Sequence, residues 1–258
     1  IGMRRLAARG RTWPARRSVP FYGGLGVILL ATQSGLAAYD RVLFSAHVVQ
    51  HLLLGMVAGL LLAFGAPVTL ALQAASRPAQ RQILRVLHSR PISVLTHPAT
   101  VWVLFAGTLF VLYFTGLYEL SLRENLVHAA LHAHFVGVGF LFFALVVSID
   151  PITSGLGYGA RMLFVALMLP FHAFLGLVLL STDEVIGGSW YQQVVRDWGA
   201  SPLADQRTGA GILWVFGEIL GVVTLVIVAA RWMAHEERVA RRNDRRLDEA
   251  ARAAQVSA

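Results

Sequence analysis

The sequence predicts an all-α fold, a polytopic membrane bundle of about six spanning helices. Three observations carry that expectation. Of its 258 residues, 56% are hydrophobic and only 14% are charged, whereas a soluble domain carries about 25% charge. Mean hydropathy is +0.62. The apolar residues fall in runs long enough to cross a bilayer, separated by short segments that hold most of the arginines.

Residues 1–18 contain Arg4, Arg5, Arg9, Arg11, Arg16 and Arg17 and read as a cytoplasmic arm. A first span is expected over about 20–38, closed by a short turn at Tyr39-Asp40-Arg41. The second, about 43–72, is long enough to tilt or to run past the bilayer. Residues 73–97 place Arg77, Arg81, Arg85 and Arg90 at helical spacing beside Ile83, Leu84 and Leu87, as an interfacial amphipathic helix or a solvated basic loop would. The third span is about 99–118, and the fourth, about 125–148, stops at Asp150-Pro151. The fifth covers about 160–181. A polar loop at 182–208 carries Asp183, Glu184, Trp190, Tyr191, Trp198 and Asp205, and the sixth span, about 209–232, runs into an Arg-rich tail. The organisation is thus an arm (1–18), a transmembrane bundle (19–232) and a cytoplasmic tail (233–258).

Every Lys or Arg position in the chain is Arg, and the formal net charge is +8. Interleaved with apolar segments, this charge points to loops facing an anionic leaflet, not to nucleic acid. The loops at 1–18, 73–97 and 233–258 are basic, and the others are mixed or acidic. The positive-inside rule therefore places both ends in the cytoplasm. The start at Ile1 is the expectation of a piece cut from a longer chain.

Without cysteine, disulfides, thiolate metal sites and thiol nucleophiles are excluded. Ionisable residues inside spans are costly and tend to face the bundle interior for a functional reason. His47 and His51 begin span two, His128 and His132 begin span four, His172 lies in span five and Glu218 in span six. At 1.5 Å per residue, His51, His132, His172 and Glu218 lie roughly 10–13 Å below the outer end of their spans, with His47 and His128 shallower. Met56 and Met168 come out deeper, near about 19 Å. Spacing i to i+4 stacks His47 over His51 and His128 over His132, while His134 points to another face. Pro170 frees the Ala166 carbonyl and is expected to kink span five.

Taken singly, each histidine has a plain structural reading. It is either wetted by headgroups or acts as polar glue between helices. The shared depth favours a metal or haem site for the group. His88, His97 and His235 read as solvated. Neutral imidazole, thioether and a carboxylate suit copper, or haem iron. No Ser-His-Asp or HExxH arrangement indicates an enzyme.

The run FSAHVVQHLLLGMVAGLLLAFGAPVTLAL, then LHSRPISVLTHP, HAALHAHFVGVGFLFF, LPFHAFLG and LADQRTGAGILWVFGE, resembles the CtaG-type cytochrome c oxidase assembly proteins. These are multi-spanning bacterial proteins, distinct from the single-span copper chaperones of similar name. The resemblance runs from about Arg4 to Arg246. It implies a multi-pass plasma-membrane protein that matures haem-copper oxidases by helping copper reach their active centre. Its partners would be oxidase subunits and a periplasmic copper donor. The matching positions are His47, His51, His128, His132, His172, Asp205 and Glu218. Family members usually begin with a further helix, and some are fused behind a larger copper-related membrane domain. Two other readings stay open. One is a membrane cytochrome with His51 and His132 as axial ligands to haem b, and the other is a scaffold that docks oxidase subunits without metal.

Overall fold

A computed structural model describes residues 2–152 and 155–256, so Ile1 lies outside the described residues. The described residues form helices and connecting turns, with no strand among them. Five helices are long and apolar enough to cross a membrane: Ala15–Tyr39, Phe44–Ala74, Asn125–Val147, Tyr158–Ser181 and Pro202–Glu249. A bent pair, Pro98–Phe114 and Leu117–Arg123, with parts inclined at 77°, passes the same test only when its two parts are taken together as one span. Its first part, 17 residues, reaches about 25 Å, slightly less than a hydrocarbon core of about 30 Å.

The second span is the centre of the bundle. Over half of it is buried within the protein, and it packs on the first, fourth and sixth spans. It is not one continuous rod. A π-helical turn at Leu53–Ala58 follows His51, and Ala66 takes a left-handed conformation (φ 49°) that ends the helix before Pro67 restarts it. The restarted piece, Pro67–Ala74, is capped from a distance. Asp150 accepts from the backbone N–H groups of Val68 and Thr69 at 3.1 and 2.7 Å and from the Thr69 hydroxyl. Free N–H groups of a first helical turn need such an acceptor. Asp150→Ala is expected to cost about 1–2 kcal/mol, read as a lower unfolding temperature in detergent, with the far end of the bundle, around His47 and His128, unchanged.

Glycines decide how closely the second and fourth spans approach. A side chain on Gly139 would collide with the Gly55 carbonyl, and one on Gly59 would come within 2.6 Å of the Gly139 backbone. Small residues at a crossing let two membrane helices touch backbone to backbone. This contact lies one turn below His51 and about two turns below His132, so it sets the separation of the two histidine pairs.

Span five breaks at Leu167, between Tyr158–Ala166 and Met168–Ser181. That is where Pro170 removes the bond to the Ala166 carbonyl. Span six packs along it with Gly176, Gly217 and Gly221 at the contact. The 73–97 segment resolves into two short helices, Arg77–Leu87 and Arg90–Leu95. Leu84, Val86 and Val94 on them are exposed. The 182–208 loop holds a short helix, Trp190–Gln193. It is tied down by the Trp190 indole donating to the Arg41 carbonyl at 2.8 Å and by Gln206, which bonds Ile186 N–H and the Glu184 carbonyl.

Candidate metal centre

Four imidazoles from two helices meet inside the bundle. Along the second span the His47 and His51 rings are 3.9 Å apart, centre to centre. Along the fourth, His128 and His132 are 4.3 Å apart. Across the helix pair, His47 faces His128 at 6.0 Å, and His51 faces His132 at 5.6 Å. The i to i+4 spacing produces each stacked pair, and the glycine crossing brings the two stacks together.

His47, His51 and His128 are buried, and His132 is partly so. Both ring nitrogens of His47, both of His51, and Nδ1 of His128 have no hydrogen-bond partner among the described residues. A buried polar atom left unpaired costs about 1–3 kcal/mol, and five of the seven such side-chain atoms among the described residues lie in this group.

Nε2 of His128 and Nε2 of His132 are engaged. His128 Nε2 lies 2.8 Å from Asp40 Oδ2, and His132 Nε2 lies 2.9 Å from Gln50 Oε1. Gln50 is fully buried and donates its amide to the Ala31 carbonyl at 2.8 Å. Asp40 sits in the turn between the first two spans. Burial opposes its ionisation, yet the His128 bond, the neighbouring imidazoles and Gln50 outweigh that and hold its carboxyl below the ordinary value. Asp40, His128 and His132 offer ligand atoms within 4.8 Å of one another. Above the rings, Tyr118 lies 4.7 Å from His47, and its hydroxyl bonds that of Tyr191 at 2.6 Å.

A family model described as cytochrome c oxidase caa3 assembly factor matches residues 1–235. The chain belongs to this assembly-factor family. Uncharacterized proteins of Mycobacterium bovis, Mycobacterium tuberculosis and Mycobacterium leprae are each 35% identical to it over 254 residues, which is 96% of this chain. The chain spans only 38% of the length of these relatives. No solved structure matches it.

The other candidate residues of this family member lie around the four rings. His172 is buried against Phe105, at 6.3 Å between ring centres, and occupies the space that a side chain on Gly217 would need. It reaches His51 only across a cavity of about 30 Å³, which Met56 and His134 also line. His134 bonds Thr108 at 2.8 Å. Met168 is buried between spans five and six. Glu218 is half-buried beside Gly217, outside the ligand group that Asp40 joins. Asp205 is buried and caps the second span, accepting from Ser45 N–H at 3.2 Å and from the Ser45 hydroxyl. That bond anchors span six to the start of the helix bearing His47. His88 and His97 are exposed, and His235 packs against Tyr158 at 5.3 Å.

Asp40 and Gln50 are not among the candidates that the sequence suggests. Asp40 stands in the turn before the helix that carries His47, and Gln50 directly precedes His51. An acid in a turn and a single amide in an apolar run look like solvation and packing.

Proposed function

We propose that this chain is the membrane module of an assembly factor for a haem-copper cytochrome c oxidase, carrying copper as cargo at His47, His51, His128 and His132. The observation that carries the reading is the set of buried imidazole nitrogens without partners among the described residues. Imidazole binds copper well, and a site without thiolate keeps the ligands exchangeable, as a transfer protein requires. The module lies in the bacterial plasma membrane with both ends in the cytoplasm, as the basic loops dictate, and the cluster lies towards the outer face. A periplasmic donor supplies the ion, and an oxidase subunit receives it.

Haem is less well accommodated. The free space beside His51 is about 30 Å³, while pockets for organic ligands of cofactor size run to about 300 Å³ or more. A reduced-minus-oxidised spectrum of the purified protein is expected to lack a sharp α-band. Metal analysis is expected to return about one copper per chain. A copper-free protein, from cells whose oxidase copper is unchanged by loss of the four histidines, would eliminate the proposal.

The onward route runs through the cavity that His51 shares with Met56 and His172. Met56→Leu with His172→Ala is expected to leave copper loading of the purified protein unchanged. Copper in the oxidase isolated from the same cells should fall at least severalfold. Equal copper in that oxidase would remove this route.

A further inference from the structure

We infer that Asp40 and Gln50 are positioning residues that fix His128 and His132 as Nε2–H tautomers, so that both rings turn a bare Nδ1 lone pair towards the shared site. The inference rests on the metal-holding reading above and assigns its donor atoms.

The proton positions follow from what each neighbour is able to accept or donate. Ala31 lies in the last turn of helix Ala15–Gln33, where backbone carbonyls have no partner within the helix. A carbonyl only accepts, so the Gln50 atom 2.8 Å from it is the amide nitrogen. The Gln50 oxygen is thereby turned towards His132, 2.9 Å from Nε2. A carboxamide oxygen also only accepts, so His132 Nε2 carries the proton. In the neutral ring, Nδ1 is left bare.

His128 obeys the same logic through a charge. The Asp40 carboxylate accepts from Nε2 at 2.8 Å. The neutral ring therefore has its lone pair on Nδ1, the atom that is buried and unpartnered.

The proximity of Asp40, His128 and His132 also permits direct coordination by Asp40. That arrangement would break the His128 bond, spend the carboxylate oxygen on the ion and still leave His128 Nδ1 stranded. A carboxylate behind a histidine, with the ion in front, satisfies every one of these atoms and raises the basicity of the ligating nitrogen. The first span, through Ala31, and the turn after it thus set the donor atoms of the fourth span.

The test is a long-range ¹H–¹⁵N correlation of the imidazoles in the full chain in detergent, first metal-free and then loaded with Ag(I) in place of Cu(I). Metal-free His128 and His132 are expected as Nε2–H tautomers, and on loading both should couple to the ion through Nδ1. Asp40→Leu and Gln50→Leu should each release one ring to a tautomer mixture. Each should also weaken Cu(I) binding about 10–100-fold in a competition titration. Nδ1–H tautomers in the metal-free wild type, or coordination through Nε2, would overturn the inference. Should neither ion bind, the copper reading falls while the metal-free spectrum still decides the tautomers. That spectrum needs no variant to fold.

Discussion

Replacing His51 and His132 together by alanine is expected to abolish copper binding, taking the purified protein from about one ion per chain to less than about a tenth. The two rings face each other at 5.6 Å across the helix pair. Their loss removes half of the imidazole donors and leaves one ring on each helix, with the lower half of the site an apolar gap. Changing an outer-shell partner alone typically costs about 10–100-fold in affinity, so loss of two ligands should cost about a thousandfold or more. The double change removes a single hydrogen bond between the second and fourth spans: His51 bonds no described residue, and His132 bonds only the Gln50 amide oxygen. The variant should therefore insert and elute as the wild type does, and copper analysis then reads the site itself. Oxidase isolated from the same cells should lack copper in proportion. If the variant supports full oxidase maturation, the docking-scaffold reading replaces the metal-carrying one. If instead the wild type shows an α-band that the variant loses, the pocket belongs to haem.

Gly139→Val carries the largest expected cost to stability. Its Cβ alone would collide with the Gly55 carbonyl, which is backbone in a π-helical turn and has no flexible end to move aside. The two spans must separate, at about 3 kcal/mol, read as a clear fall in unfolding temperature in detergent. Because the same contact holds the histidine stacks at their separation, copper affinity should fall with it. Gly137, on the same helix, faces open space: a methyl group added there would meet nothing within 4 Å. Gly137→Ala is expected to be neutral or slightly stabilising, since alanine is the better helix former. If both variants lost stability equally, helix propensity and not the crossing would be responsible.

These variants separate what can be read along the chain from what cannot. The spans are legible because hydrocarbon imposes one requirement on every residue of a crossing segment, and that requirement survives averaging along the sequence. The His47–His51 and His128–His132 pairs are equally legible, since a helix with 3.6 residues per turn aligns i and i+4 whatever surrounds it. The break in span five near Pro170 follows for the same local reason.

Depth along a helix is a weaker guide than rotation about it. Residue counting puts His172 and Glu218 on the level of His51 and His132, yet His172 faces the ring group across a cavity, and among the described residues the ligand atoms within 4.8 Å of one another are those of Asp40, His128 and His132 alone. Which way a helix turns its polar residue depends on the crossings at Gly139 and Gly217, where one backbone or ring fits against a missing side chain.

By itself the sequence determined a helical membrane chain, its spans, its basic and acidic loops and two stacked imidazole pairs, all of them properties of one helix at a time. Tertiary structure alone decided that the two stacks oppose each other, that the turn carboxylate is Asp40 and that Gln50 bridges Ala31 to His132. Those contacts join residues 19, 82 and 88 positions apart. No periodicity within a helix encodes them, because they depend on how closely two backbones approach and at what rotation.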